Sequence, residues 1–190
     1  MTTVTIPAWT ARGVLPPENL IQAMSADRSP YLVKLLDVVM RFATTPERCI
    51  ILKGFLDYRC ALHNIGLKQG FQWLNGSFAE HVELLEQRAP QDIDVVNFVH
   101  VPPNFSPTPD QADVLDHDHA KAVFSVDSYF VEVNLLPPEN LVKQSTYWYS
   151  MWSHRRNQEW KGYLQLDLSS VDDALAAAWL NSQMEGGATL

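Results

Sequence analysis

Two aspartates stand one residue apart in Gln91-Asp92-Ile93-Asp94-Val95-Val96, at the head of a Val-, Ile- and Phe-rich run that continues to Val101. Residues i and i+2 of a strand point to the same face. The run therefore predicts a mostly buried strand with two carboxylates side by side and Ile93 turned the other way. Adjacent anions repel one another. Such a pair is either left in water at a strand edge or given a cation, and hard oxygen ligands suit Mg²⁺ or Mn²⁺.

The rest of the chain supplies a core around that strand. Its 190 residues suit one domain, and 46% hydrophobic against 19% charged residues is the balance of a globular protein. The formal net charge of -8 argues against broad DNA or RNA binding, which needs basic stripes to replace counterions. It leaves room for a small nucleotide held through a metal, or for a basic protein partner. Cys49 and Cys60 are the only cysteines, about three turns apart on an expected helix and too distant to bridge. They read as reduced thiols of a cytoplasmic protein. Met1-Thr2-Thr3-Val4 shows no basic segment leading into an apolar run, so no signal peptide is expected. No stretch reaches the length of a membrane span, so no membrane partner is expected either.

Gly13-Val14-Leu15-Pro16-Pro17 reads as an extended lead-in, followed by a short helix over 18–24. Ser29-Pro30 and Thr45-Pro46 each have the form of a cap followed by a first helical residue. The apolar spacing behind them predicts one helix from Tyr31 to Met40 and a second that stops near Gly66. Phe71 to Leu74 reads as a strand entering a turn at Asn75-Gly76-Ser77. Helical segments are expected over 78–87 and 109–122, the latter capped by Thr108. Phe124 to Leu136 is the longest β-type run, and Gly162 to Leu168 a last strand. A final helix is expected from Ser169 to Met184, ended by Gly186-Gly187. Strand, helix, strand, helix, strand, with helices in front, is an α/β or α+β order with a mixed sheet.

The hydrophobic strand Trp73-Leu74-Asn75, then Gly76-Ser77, a helix, and Asp92-Ile93-Asp94 on a second strand together resemble the signature of the DNA polymerase beta-like nucleotidyltransferase superfamily. The chain also looks like an uncharacterised bacterial family of small proteins with that fold. This likeness lies in Gly13 to Pro17, Trp73 to Phe78, Asp92 to Val96, Asp127 to Val131, and Trp152 with Lys161 to Leu164. The resemblance implies a single nucleotidyltransferase-like domain over 1–190, with a helical part at 1–68, the core at 69–136, and a strand and helix at 137–190. Fourteen residues separate Ser77 from Asp92, more than is common in the superfamily.

What the resemblance implies chemically is specific. Asp92 and Asp94 would hold Mg²⁺ or Mn²⁺, and a third acid on a later strand would complete the set. Two metals about 4 Å apart would clamp the attacking and leaving oxygens of a phosphoryl transfer. Gly76 would let backbone approach a triphosphate, and Ser77 with the following N–H groups would hold its oxygens. Read alone, Gly76-Ser77 is an ordinary strand-to-helix turn. Asp127 and Glu132 are both candidates for the third acid. Being five apart, they face opposite sides of a regular strand, so one alone can join the pair. Asp127 is preferred because it stands near the start of its strand, as in the superfamily.

Other groups read more plainly. His117 and His119 sit two apart on an expected helix, where side chains diverge, and belong to a solvated face. His154-Arg155-Arg156 with Lys161 is the main basic cluster, either a surface turn or a contact for phosphate or an acidic partner. Trp148, Trp152 and Trp160 read as core or interface anchors. Two functions follow. One is a metal-dependent nucleotidyltransferase that moves a nucleoside monophosphate from an NTP to a hydroxyl. The other is a catalytically weak or inactive relative that acts through a protein partner from its own operon, of the toxin–antitoxin or phage-defence kind.

Overall fold

Thr45 and Pro46 begin the longest helix as their order predicts: the Thr45 hydroxyl accepts from the Arg48 amide, and proline fills the first turn. The computed structural model describes residues 4–22 and 24–186. Their helices are α1 (Leu35–Phe42), α2 (Pro46–Asn64), α3 (Val82–Glu86), α4 (Pro109–Ala112), α5 (His117–Phe124), α6 (Pro138–Trp152) and α7 (Asp173–Gly186). The strands are β1 (Tyr31–Leu32), β2 (Gly70–Asn75), β3 (Ile93–Val99), β4 (Val126–Glu132) and β5 (Leu164–Asp167). They form one mixed sheet in the order β1-β5-β2-β3-β4, the expected α/β class. β2 lies antiparallel to β3 and β5, while β1–β5 and β3–β4 are parallel.

Period-two alternation sorts the strand residues onto two faces. Leu74, Val95, Val99, Leu164 and Leu166 join a core with Val38, Leu52, Phe55, Ala176 and Leu180 of α1, α2 and α7. Trp73, Val96, Phe98, Val131 and Tyr163 face the other way and pack with Trp148 and Trp152 of α6. Trp160, by contrast, is 46% exposed. Burial demands partners for polar groups, and a chain of them crosses the sheet. Arg59 donates to Gln72, Gln72 to Asn97, and Asn97 to the Tyr58 hydroxyl. Cys49 is buried, Cys60 is exposed, and both are free thiols. Among the described residues, no helix is long and apolar enough to cross a membrane.

Several expected helices are shortened or replaced. The helix predicted from Tyr31 begins only at Leu35. The Tyr31 and Val33 amides donate to the carbonyls of Tyr163 and Gln165, so sheet pairing takes the preceding backbone. No helix forms at 18–22, where Asn19 accepts from the Ile21 and Gln22 amides in a local turn; Ala23 lies outside the described residues. The helix expected over 78–87 is split into a 3₁₀ turn at Ser77–Ala79 and α3. Here the His81 amide donates to the Gly13 carbonyl. Asp116 divides the segment at 109–122, because its side chain caps α5 by accepting from the His119 amide. The aromatic segment from Tyr147 to Trp152 is the last part of α6. The last helix starts at Asp173 and continues to Gly186; Gly187 lies outside the described residues.

Candidate active site

Asn75, Asp94 and Asp127 are register partners across β2, β3 and β4. Paired residues share a face, so both aspartates lie on the side covered by α6, at the end of the sheet where β2 finishes and β3 and β4 begin. Asp92 precedes β3 by one residue. It reaches the same cleft from the incoming loop rather than from the strand itself. Glu132 ends β4 opposite Val99, exposed at the far end of the pairing. The sheet therefore gathers Asp92, Asp94 and Asp127 and leaves Glu132 out.

Gly76 follows at once on β2 with φ 79°, a left-handed conformation that glycine adopts without strain. A Cβ built there would lie 1.7 Å from Asp94 Oδ2. Glycine is thus required both by the backbone and by the carboxylate against it. Gly76 and Ser77 line a cleft of about 870 Å³ with Asp92, Asp94, Asp127, Lys121, Arg156 and Lys161. Burial, then the charges of Asp92 and Asp127, push the Asp94 carboxyl up to about 6, against the pull of Lys161 and Lys121.

Lys121, near the end of α5, stands within this acidic group. Its Nζ is 2.9 Å from Asp92 Oδ2 and 3.3 Å from Asp127 Oδ2. The hydrogen bond to Asp92, joined by Asp127, holds the ammonium above its ordinary range. His117 also belongs here rather than to a purely solvated face. Its Nδ1 is 3.3 Å from Asp127 Oδ1 and 3.2 Å from the Ser128 carbonyl. Asp127 Oδ1 is buried and takes no hydrogen bond.

The long link between Ser77 and Asp92 helps build the opposite wall. Glu80, buried, receives Lys161 Nζ at 2.6 Å and Arg155 Nε at 3.0 Å. Arg155 also reaches Glu86 at 2.7 Å. Arg48, fully buried in α2, anchors this link by donating to the carbonyls of Phe78 and Glu80 and by pairing with Glu83. The basic cluster at 154–161 is therefore part of the cleft, with Lys161 inside and His154 and Arg156 exposed.

The oxygen donors suit Mg²⁺ or Mn²⁺, and Asp127 Oδ1, which takes no hydrogen bond and has His117 Nδ1 at 3.3 Å, would gain from a cation. Among the described residues, however, no group of three or more His, Cys, Asp or Glu stands assembled to hold a metal ion. The cation between Asp92 and Asp127 is an ammonium. Sequence reasoning singled out Asp92, Asp94, Asp127, Gly76 and Ser77. It missed Lys121, Glu80 and Arg48, and set His117 aside. The available signal for Lys121 was its place on a helix that leads directly into the strand bearing Asp127.

A family described as one of unknown function (DUF6932) matches residues 7–167. No curated protein and no solved structure matches the chain.

Proposed function

The chain belongs to the DUF6932 family of unknown function, and from the chemistry of its cleft we propose that it is a metal-dependent nucleotidyltransferase, moving a nucleoside monophosphate from an NTP to a hydroxyl. The observation that carries this reading is the register pairing of Asp94 with Asp127, beside a glycine that Asp94 itself requires. The resemblance of the Gly-Ser and Asp-x-Asp pattern to the polymerase beta-like superfamily supports it.

Asp92, Asp94 and Asp127 would hold Mg²⁺ or Mn²⁺, which when bound supplies Lewis-acid activation and in-line geometry. The protein's own groups do the rest. Gly76 keeps the floor free of a side chain. The single 3₁₀ turn at Ser77–Ala79 offers less than a full helix N-terminus would, so anion binding falls chiefly to Lys161, Arg155 and Arg156. Glu80 holds the first two in place. The acceptor oxygen bonds to the α-phosphorus as the bond to pyrophosphate breaks, and a cluster carboxylate takes the hydroxyl proton.

The second reading is a catalytically idle relative that acts through a protein partner from its operon. It is favoured by Lys121, which already pairs with Asp92 and Asp127. Incubation with each labelled NTP, Mg²⁺ or Mn²⁺ and a cell lysate separates the two. Label transfer lost in Asp92→Ala/Asp94→Ala supports the enzyme. Absence of transfer, together with NTP binding that ignores the double substitution, would reject it.

A further inference from the structure

We propose that Lys121 is a built-in counter-ion of the Asp92–Asp127 pair, so that the cleft takes up a divalent metal as a complex with a polyphosphate rather than as a free ion. This inference rests on the metal-site reading above. The ammonium lies 2.9 Å from one carboxylate and 3.3 Å from the other. A metal ligated by both would need the same gap, and two cations at contact distance repel. Metal entry therefore displaces Lys121.

The displaced group has somewhere to go. The Lys121 side chain is 47% exposed and its stem is flexible. It can swing out without unpacking α5, whose buried residue is Ala120. A free metal ion strips the ammonium of both partners and offers none in return. A metal–polyphosphate complex brings anionic oxygens that can receive it. The opposite wall cannot substitute, because Glu80 and Glu86 are already engaged by Lys161 and Arg155. Metal and polyphosphate thus bind with positive coupling, and Lys121 is the positioning residue that creates it.

The test compares the full-length protein with Lys121→Met and Lys121→Gln, by calorimetric titration with Mn²⁺ alone and with the Mn²⁺ complex of α,β-methylene ATP. The wild type is expected to bind Mn²⁺ alone at least tenfold more weakly than either variant. With the complex, this advantage of the variants shrinks to a few-fold or reverses. Without metal, both variants melt at lower temperature than the wild type, and Mn²⁺ restores them. If the wild type takes the complex but the variants bind free Mn²⁺ no better than it does, Lys121 is no competitor, and the nucleotidyltransferase reading stands alone. If no form binds Mn²⁺, free or complexed, both readings fall.

Discussion

Gly76 and Asp94 approach so closely that a methyl group on the first would lie 1.7 Å from a carboxylate oxygen of the second. The glycine of the Gly-Ser pair is therefore explained within the protein, by the acid on the neighbouring strand, before any ligand is considered. Gly76→Ala is expected to combine backbone strain at φ 79° with displacement of Asp94. It should cost roughly 2–3 kcal/mol by denaturant unfolding and abolish metal-dependent nucleotide binding. Gly76→Ala/Asp94→Ala should recover part of that stability but none of the binding. A Gly76→Ala protein as stable as the wild type would contradict the contact.

The Asp94 carboxyl, raised to about 6, gives a signed pH dependence in the metal-free protein. A raised acid binds its proton more tightly in the folded state. Its contribution is most favourable below the unfolded value near 4, declines as pH rises to about 6, and is constant above that. The cost is on the order of 2–3 kcal/mol. The difference between wild type and Asp94→Asn in urea unfolding from pH 4 to 7 isolates it from the other carboxylates. Equal slopes would show that Asp94 does not titrate there. Metal binding should weaken below about pH 6, as protons compete for the same oxygens.

Asp127 and Glu132 separate the site from its strand. Asp127→Asn should abolish label transfer, while Glu132→Gln, altering an exposed residue opposite Val99, should retain it within about twofold and change stability by less than ~0.5 kcal/mol. Transfer assays on the two variants, with folding checked by circular dichroism, decide the point. Loss with Glu132→Gln and retention with Asp127→Asn would reverse the assignment.

Arg48 holds the link between the Gly-Ser turn and the acidic strand. Arg48→Met leaves the Phe78 and Glu80 carbonyls and Glu83 without their partner, and removing one member of a buried ion pair costs about 3–5 kcal/mol. Glu83→Gln, at a carboxylate that is one quarter exposed, should cost only about 1 kcal/mol. Thermal and denaturant unfolding of both variants tests the asymmetry. A mild effect of Arg48→Met would mean that the link is held by something else.

Features governed by near neighbours were legible. Thr45-Pro46 starts a helix because capping needs only a hydroxyl three residues before an amide. Asp94 falls on a strand because Val95, Val96, Phe98 and Val99 alternate between two cores. Ser29-Pro30 carries a similar start signal, yet Tyr31 and Leu32 became a strand because β5 offered hydrogen bonds from more than 130 residues away. The aromatic end of α6 was readable as apolar but not as helical, since its burial depends on Tyr129, Trp73 and Tyr163 of the sheet beneath it.

The amino-acid order by itself determined the α/β class and the strand that bears Asp94, while its resemblance to the superfamily pointed to Gly76, Ser77, Asp92, Asp94 and either Asp127 or Glu132. The class and the strand depend on period, on turn chemistry and on residues within a few positions of each other. Tertiary structure alone decided that Asp127 rather than Glu132 faces Asp94, because parallel register is a relation between strands. It alone set Lys161 against Glu80 across 81 positions and brought Lys121 between Asp92 and Asp127. Charges as far apart along the chain as Lys161 and Glu80, or Lys121 and Asp92, carry no mutual signal until packing of the sheet and helices makes them neighbours.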